Sequence, residues 1–236
     1  MAGDDEAKPE AGAEAEATAT SSSSSGPLEV GLHAVARSLQ LQHGLRHGDY
    51  QRYRRYCTRR LRRLRLHAKL THSHGTGGAS GKRGGPRQPK SFQARPVTLE
   101  ALLGEKGKGL KEEHLLLLLL GAERAWGLAM QLKQDHAGAK TGMPSHVRNH
   151  VIRRLRRAAA CAAQLKALCQ AGPALVAERT ALEAEAYSAG MAALLALEQE
   201  RWGEALAGLR VAHSVLGRFA EMPGASLHDQ DLFALK

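Results

Sequence analysis

The chain has 236 residues, with 34 lysines and arginines against 23 acidic residues and a formal net charge of +11. This length fits one domain or a small pair of domains. Hydrophobic residues make up 43%, mostly leucine and alanine, and aromatic residues only 4%, a mixture that favours helices over sheets. Three cysteines without a CxxC pair argue against a disulfide framework and indicate a reducing compartment.

The positive charge is concentrated in one segment. Residues 40–95 contain fifteen lysines and arginines and a single acid, Asp49, so this segment carries +14 and the rest of the chain −3. A near-neutral body with one very basic segment favours a polyanionic partner, either a nucleic acid or an anionic membrane surface.

The N-terminal third begins with a tail and continues as two helices. Residues 1–26 are acidic and serine-rich, and they predict a disordered tail that is neither a mitochondrial presequence nor a secretory signal. A first helix is predicted over 27–43, with Pro27 at its first position. Gly44 and Gly48 then bracket a short turn, and Asp49 is placed to cap a second helix over 49–70.

The second helix has two different faces. On a helical wheel its apolar positions fall within one narrow arc, and they are Tyr50, Tyr53, Cys57, Leu61, Leu64 and Ala68. The opposite arc holds Arg52, Arg55, Arg59, Arg62 and Arg63, and the flanks hold Arg54, Arg60 and Arg65. We therefore expect one face to pack on protein and the other to form an arginine ridge about 30 Å long.

The remainder of the chain is also predicted to be helical. Residues 71–96 form a flexible basic, glycine-rich loop, and helices follow over 97–103, 110–136, 145–170, 174–197 and 201–220, before a C-terminal segment at 223–236. The leucine run at 115–122 is too short for a membrane span of ~20 residues and predicts a buried helix segment. The last helix matches the spacing of a tetratricopeptide unit through Trp202, Ala205, Leu206, Leu209 and Ala212. The prediction is an all-α fold of antiparallel helix pairs, tetratricopeptide-like and solenoid-like, with a protruding arginine-rich helix over an RNA-binding domain at 27–222.

Motifs that could carry catalysis are absent or incomplete. The glycine-rich stretch before Lys82 lacks the first glycine and the final Ser/Thr of a phosphate loop. His146 and His150 are one turn apart, but no glutamate or third ligand accompanies them. Cys161 and Cys169 are predicted as core residues. The sequence thus predicts a protein that is not an enzyme and uses no metal or cofactor.

Arginine is the residue best suited to a nucleic-acid partner, because its planar fork binds phosphates in a bidentate way and stacks on exposed bases. A second cluster of five arginines lies within ten residues of the helix over 145–170, where Val151, Leu155 and Ala158 would point inward. Arginine-rich helices suit irregular RNA, where bulges and junctions widen the major groove. The predicted RNA-binding residues are Arg46, Arg52, Arg54, Arg55, Arg59, Arg60, Arg62, Arg63, Arg65, Lys69, Arg148, Arg153, Arg154, Arg156 and Arg157. The alternative is a helical-repeat protein-interaction adaptor whose basic helix is a localisation signal or binds a membrane surface.

Several motifs resemble the 68-kDa subunit family of the eukaryotic signal recognition particle. They are QHGLRHGDYQRYR at 42–54, CTRRLRRLR at 57–65, AERAW at 122–126, AMQLKQ at 129–134 and LEAEAY at 182–187, in the family's order. The first motif is long and specific, and the resemblance covers roughly residues 28–220.

The resemblance implies a tetratricopeptide-like domain that grips the S domain of the particle's 7S RNA near its multi-helix junction. The helix carrying Arg52 to Arg65 would enter a widened major groove and help to bend the RNA. The family pairs with the 72-kDa subunit through a region beyond residue 236, and it meets the other subunits and the ribosome indirectly. The resemblance further implies a cytoplasmic location, a nucleolar stage during assembly, and association with the endoplasmic reticulum through the particle, without direct membrane insertion.

Overall fold

The computed structural model describes residues 26–68, 70, 97–98, 110–138 and 142–221. This part of the chain contains six α-helices, a short 3₁₀ turn at Leu45–His47, and no β-strand. The helices are α1 (Leu32–Gln42), α2 (Tyr50–His67), α3 (Glu112–Asp135), α4 (Ser145–Ala171), α5 (Glu178–Glu198) and α6 (Trp202–Glu221). The predicted all-α fold is confirmed, and the bounds of α2, α3, α4 and α6 agree with the sequence prediction to within about three residues.

Some predicted features lie outside the described residues. These are the tail at 1–26 except for its last residue, the basic loop at 71–96, most of the short helix at 97–103, the C-terminal segment at 223–236, and Lys69. They stay predictions.

Helices that are neighbours in sequence pack against each other, in the order α2, α3, α4, α5 and α6, while α1 lies against α3 and α5. Tyr53 near the start of α2 meets Glu123 in the middle of α3, and His67 at the end of α2 meets Glu113 at the start of α3, so these two helices are antiparallel. A Cβ atom built on Gly208 of α6 would lie 3.1 Å from the Cβ of Ala193 on α5. Small residues thus set a close approach of α5 and α6 at this point.

The leucine-rich helix α3 is the centre of the core. By length and hydropathy it is the one described helix that could cross a membrane. Leu115, Leu117, Leu118, Leu119 and Leu120 are nevertheless all buried against other helices of the domain. The run at 115–122 is therefore a buried helix segment, as predicted.

The predicted starts of two helices are wrong, and for one shared reason. The first helix begins at Leu32 and not at Pro27, and α5 begins at Glu178 and not at residue 174. The chain around Leu28 is extended and pairs with the segment before α5: its amide donates to the carbonyl of Leu175 over 2.8 Å, and its carbonyl accepts from Ala177 over 2.9 Å. Because these backbone groups are satisfied by each other, neither stretch needs the helical hydrogen bonds that its local sequence allows.

Candidate nucleic-acid interface

The two faces of α2 differ as the helical wheel predicts. Tyr53, Cys57, Leu61 and Leu64 are buried. Arg52, Arg55, Arg59, Arg62 and Arg63, called the arginine face below, are exposed, and the flanking Arg54, Arg60 and Arg65 are half-buried. The structure also confirms the predicted cap, because the Asp49 carboxylate accepts a hydrogen bond from the amide of Arg52 over 2.8 Å.

A buried carboxyl group fixes α2 to the rest of the domain. The Tyr53 hydroxyl donates to Oε2 of Glu123 over 2.7 Å, and the Tyr187 hydroxyl donates to Oε1 over 2.6 Å. Gln40 donates to Oε2 over 2.9 Å. One side chain of α3 thereby joins α1, α2 and α5. We call Glu123 and its three donors the Glu123 network.

The buried environment of Glu123 disfavours the ionised form of its carboxyl group. The residue is 1% exposed, and burial raises the pKa of its carboxyl group above the usual value, while the three hydrogen bonds act in the opposite direction. The sequence places Glu123 in the AERAW motif and assigns it no structural role. Nothing in the local pattern distinguishes a surface glutamate from one that meets two tyrosines from other helices.

The arginine face lines an open groove of about 720 Å³, the arginine groove. His43 and Tyr56 also line it, and their rings are stacked with centroids 3.4 Å apart and planes inclined by 17°. The sequence pattern does not indicate this pair. An aromatic residue set between arginines, as Tyr56 is, could have signalled it.

No carboxylate within the described part of the chain forms an ion pair with Arg52, Arg55, Arg59, Arg62 or Arg63. Asp49, the acid that lines the groove, uses its side chain to cap α2. Like charges one helical turn apart repel each other. The arginine face therefore has a positive electrostatic potential that a bound anion can neutralise.

The second arginine cluster lies on α4, and its orientation is as predicted. Val151, Leu155 and Ala158 are buried, whereas Arg153, Arg154, Arg156 and Arg157 are exposed. These outward guanidinium groups form a second basic surface.

Arg148 differs from the other members of that cluster. It forms an ion pair with Glu200 and donates to the carbonyl of Glu198 over 3.3 Å. It thereby ties the start of α4 to the turn between α5 and α6. Of the predicted RNA-binding residues on α4, it is the one that forms an ion pair with an acid in the described part of the chain.

The two arginine surfaces meet at α3. Burial lowers the pKa of Arg65 on α2, and the nearby charges of Arg124 on α3 and Arg157 on α4 lower it further. The same three charges act on the buried thiol of Cys161. A Cβ atom on Gly121, one turn from Arg124, would lie 3.6 Å from the Cys161 Sγ. Arg124, which sequence analysis did not select, therefore lies between the two arginine clusters.

Among the described residues, no group of three histidine, cysteine or acidic side chains is placed to hold a metal ion. Burial raises the pKa of Cys57 to about 12 and of Cys169 to about 11, so these thiols are poor nucleophiles. What the surface offers is positive charge, hydrogen-bond donors and two stacked rings.

The sequence and the fold are each similar to those of known proteins. A family model described as RNA-binding signal recognition particle 68 matches residues 45–235. The signal recognition particle subunit SRP68 of Drosophila melanogaster is 38% identical over 190 residues, and that of Dictyostelium discoideum is 31% identical over 188. These alignments cover 79% of this chain but 27% and 26% of the relatives, so the chain spans about a quarter of their length. The structure of the SRP68-RBD from Chaetomium thermophilum matches with a TM-score of 0.62 at 25% identity, covering 80% of this chain and 77% of that one.

Proposed function

This chain belongs to the RNA-binding signal recognition particle 68 family, and we propose that it binds the particle's RNA with the arginine face of α2 and the exposed arginines of α4. The observation that carries the proposal is the arginine face itself. Its five guanidinium groups have no ion-pair partner in the described part of the chain, while the opposite face of α2 is locked to α3.

The spacing of the arginine face suits a nucleic-acid strand. Arg52, Arg55, Arg59 and Arg62 follow each other at one turn, so they extend over about 15 Å of helix axis. Several phosphates of one strand fit within that length. Arginine binds each phosphate in a bidentate way and keeps its charge at any physiological pH.

Two surfaces at different places favour a shaped RNA over a uniform duplex. A regular A-form helix has a major groove too narrow for side chains, whereas a junction opens it. We propose that α2 enters such a widened groove at the multi-helix junction of the S domain and helps to bend the RNA. The α4 arginines would then contact a second strand, with Arg124 of α3 between the two contacts.

The wider role follows from the resemblance and goes beyond this segment. We propose that a protein containing this domain pairs with the 72-kDa subunit through another region and meets the ribosome through the particle. We place it in the cytoplasm, in the nucleolus during assembly, and at the endoplasmic reticulum with the particle.

The test is the affinity for S-domain RNA of a variant in which Arg52, Arg55, Arg59 and Arg62 are changed to glutamine, measured over a series of salt concentrations. We expect a large loss of affinity and a salt slope about three units flatter, since each phosphate contact contributes 0.7 to 0.9. The variant should also lose its preference for the junction over a plain hairpin.

A matched control removes the same charge elsewhere. It carries glutamine at Arg37, Arg201, Arg210 and Arg218. If the two variants bind RNA equally well, the assignment to α2 is wrong. If the unmodified protein binds anionic vesicles and not RNA, the membrane-surface alternative is correct.

A further inference from the structure

The stacked pair of His43 and Tyr56 lies in the arginine groove, among Arg52, Arg55 and Arg59. His43 directly follows α1, and Tyr56 lies in the first half of α2. Both side chains are half-buried, so neither ring is sealed in the core. Charge alone does not explain why an aromatic surface lies in a groove of guanidinium groups.

The geometry of the pair is set by a hydrogen-bonded turn. Gly44 and Gly48 have positive φ angles of 127° and 68°, and the amide of Asp49 donates to the carbonyl of Gly44 over 3.0 Å. This turn returns the chain so that the His43 ring lies flat on Tyr56. Because both rings are held before a ligand arrives, a base that stacks on them orders fewer groups than it would on a mobile side chain.

The chemistry of the pair suits a nucleobase. Burial, together with the charge of Arg52, lowers the pKa of His43, so its ring is neutral at physiological pH. Neutral aromatic rings stack on any of the four bases, because every base has a π-face. The neighbouring arginines hold the phosphates on either side of such a base.

We propose that His43 and Tyr56 form a stacking platform for one unpaired base of the RNA, beside the phosphates held by the arginine face. The proposal rests on the proposed function, since it adds a base contact to that phosphate surface. Bases inside a duplex are stacked on each other and cannot reach a side-chain ring. The platform therefore selects RNA with an unpaired nucleotide next to a widened groove, which phosphate contacts alone do not.

The test compares Tyr56→Leu with Tyr56→Phe. The leucine variant should bind S-domain RNA about 5- to 150-fold more weakly, which is the range measured for one stacked base. Its salt slope should stay that of the unmodified protein, because no phosphate contact is lost. The phenylalanine variant keeps a ring and should bind as the unmodified protein does.

A matched control and a direct readout complete the experiment. Tyr50→Leu removes a half-buried tyrosine of the same helix that lies against Trp126, outside the groove, and it should leave affinity nearly unchanged. With 2-aminopurine placed in turn at each unpaired junction position, one position should be quenched by the unmodified protein and by Tyr56→Phe but not by Tyr56→Leu.

The platform is refuted if Tyr56→Leu binds as tightly as Tyr56→Phe, or if no 2-aminopurine position responds differently to the two variants. That result leaves the proposed function standing when the four-arginine variant has lost binding. Equal binding by the four-arginine variant and its charge-matched control refutes the proposed function, whatever Tyr56 does.

Discussion

Replacing Tyr53 by phenylalanine tests how α2 is held in place. The substitution removes one hydroxyl and keeps the ring, so it creates almost no cavity at a residue that is fully buried. It takes from Glu123 one of its three hydrogen-bond donors, the one at 2.7 Å. Loss of one buried hydrogen bond costs about 1 to 3 kcal/mol. The unfolding free energy of a domain is about 5 to 15 kcal/mol, so the change is readily measured.

The assay is urea denaturation followed by far-ultraviolet circular dichroism, in the absence of RNA. Tyr50→Phe is the control, because the Tyr50 hydroxyl makes no hydrogen bond to any residue that the structure describes. Tyr187→Phe should cost a similar amount to Tyr53→Phe, since Tyr187 donates to the other oxygen of the same carboxyl group over 2.6 Å. The double variant should depart from additivity by at least about 0.5 kcal/mol, because the two hydroxyls share one acceptor.

Equal stability of Tyr53→Phe and Tyr50→Phe would contradict this prediction. Glu123 would then be satisfied without α2, and the Glu123 network would not position the arginine face. If Tyr53→Phe is less stable but binds RNA with unchanged affinity under conditions where it is fully folded, the Glu123 network has a purely structural role.

Two further predictions concern the pH dependence of stability and the turn before α2. Burial raises the pKa of Glu123 in the folded state above its usual value of 4.5. Between the pKa of the unfolded state and that of the folded state, the folded state binds more protons, so stability decreases as the pH rises. Glu123→Gln should flatten that decrease in urea midpoints measured from about pH 4 upward, and an unchanged profile would contradict the prediction. Gly44→Ala should destabilise the domain by roughly 1 to 3 kcal/mol, because the new Cβ would lie 2.7 Å from the Asp49 carbonyl at a φ of +127°. Gly217→Ala should instead stabilise the domain by up to about 1 kcal/mol, because Gly217 lies in a helix and nothing is within 4 Å of the new Cβ. If the two substitutions change the thermal midpoint similarly, the turn is not strained.

The parts of the fold and site that sequence predicts well are those set by local pattern. The apolar arc of α2 identifies Tyr53, Cys57, Leu61 and Leu64 as buried, since a 3.6-residue period and side-chain chemistry decide that face. The Asp49 cap follows from residue type and position in the same way. The local sequence of α2 is therefore enough to predict which of its faces is buried and which is exposed.

What sequence misses depends on contacts between residues far apart in the chain. The pairing of Leu28 with Val176 crosses nearly 150 residues and moves the starts of two helices. Glu123 reads as a surface residue until Tyr187 is brought over it by α5. Arg124 stands alone in the sequence and becomes part of the basic surface only when α2 and α4 flank α3. The periodicity of one segment does not reveal contacts of this kind between distant segments.

The Glu123 network holds in place the helix that carries the arginine face. A helix with eight arginines and no acid within its bounds is opposed by its own charge, so its helical form and position must come from packing and hydrogen bonding on the other side. Tyr53 supplies both, through its buried ring and its bond to Glu123. The five guanidinium groups of the arginine face have no ion-pair partner in the described part of the chain, so a bound anion would reduce the repulsion among them. A helix that is already ordered would also lose less entropy on binding. Under the proposed function, a surface that paired its arginines with its own acids would be more stable alone and would bind RNA less tightly.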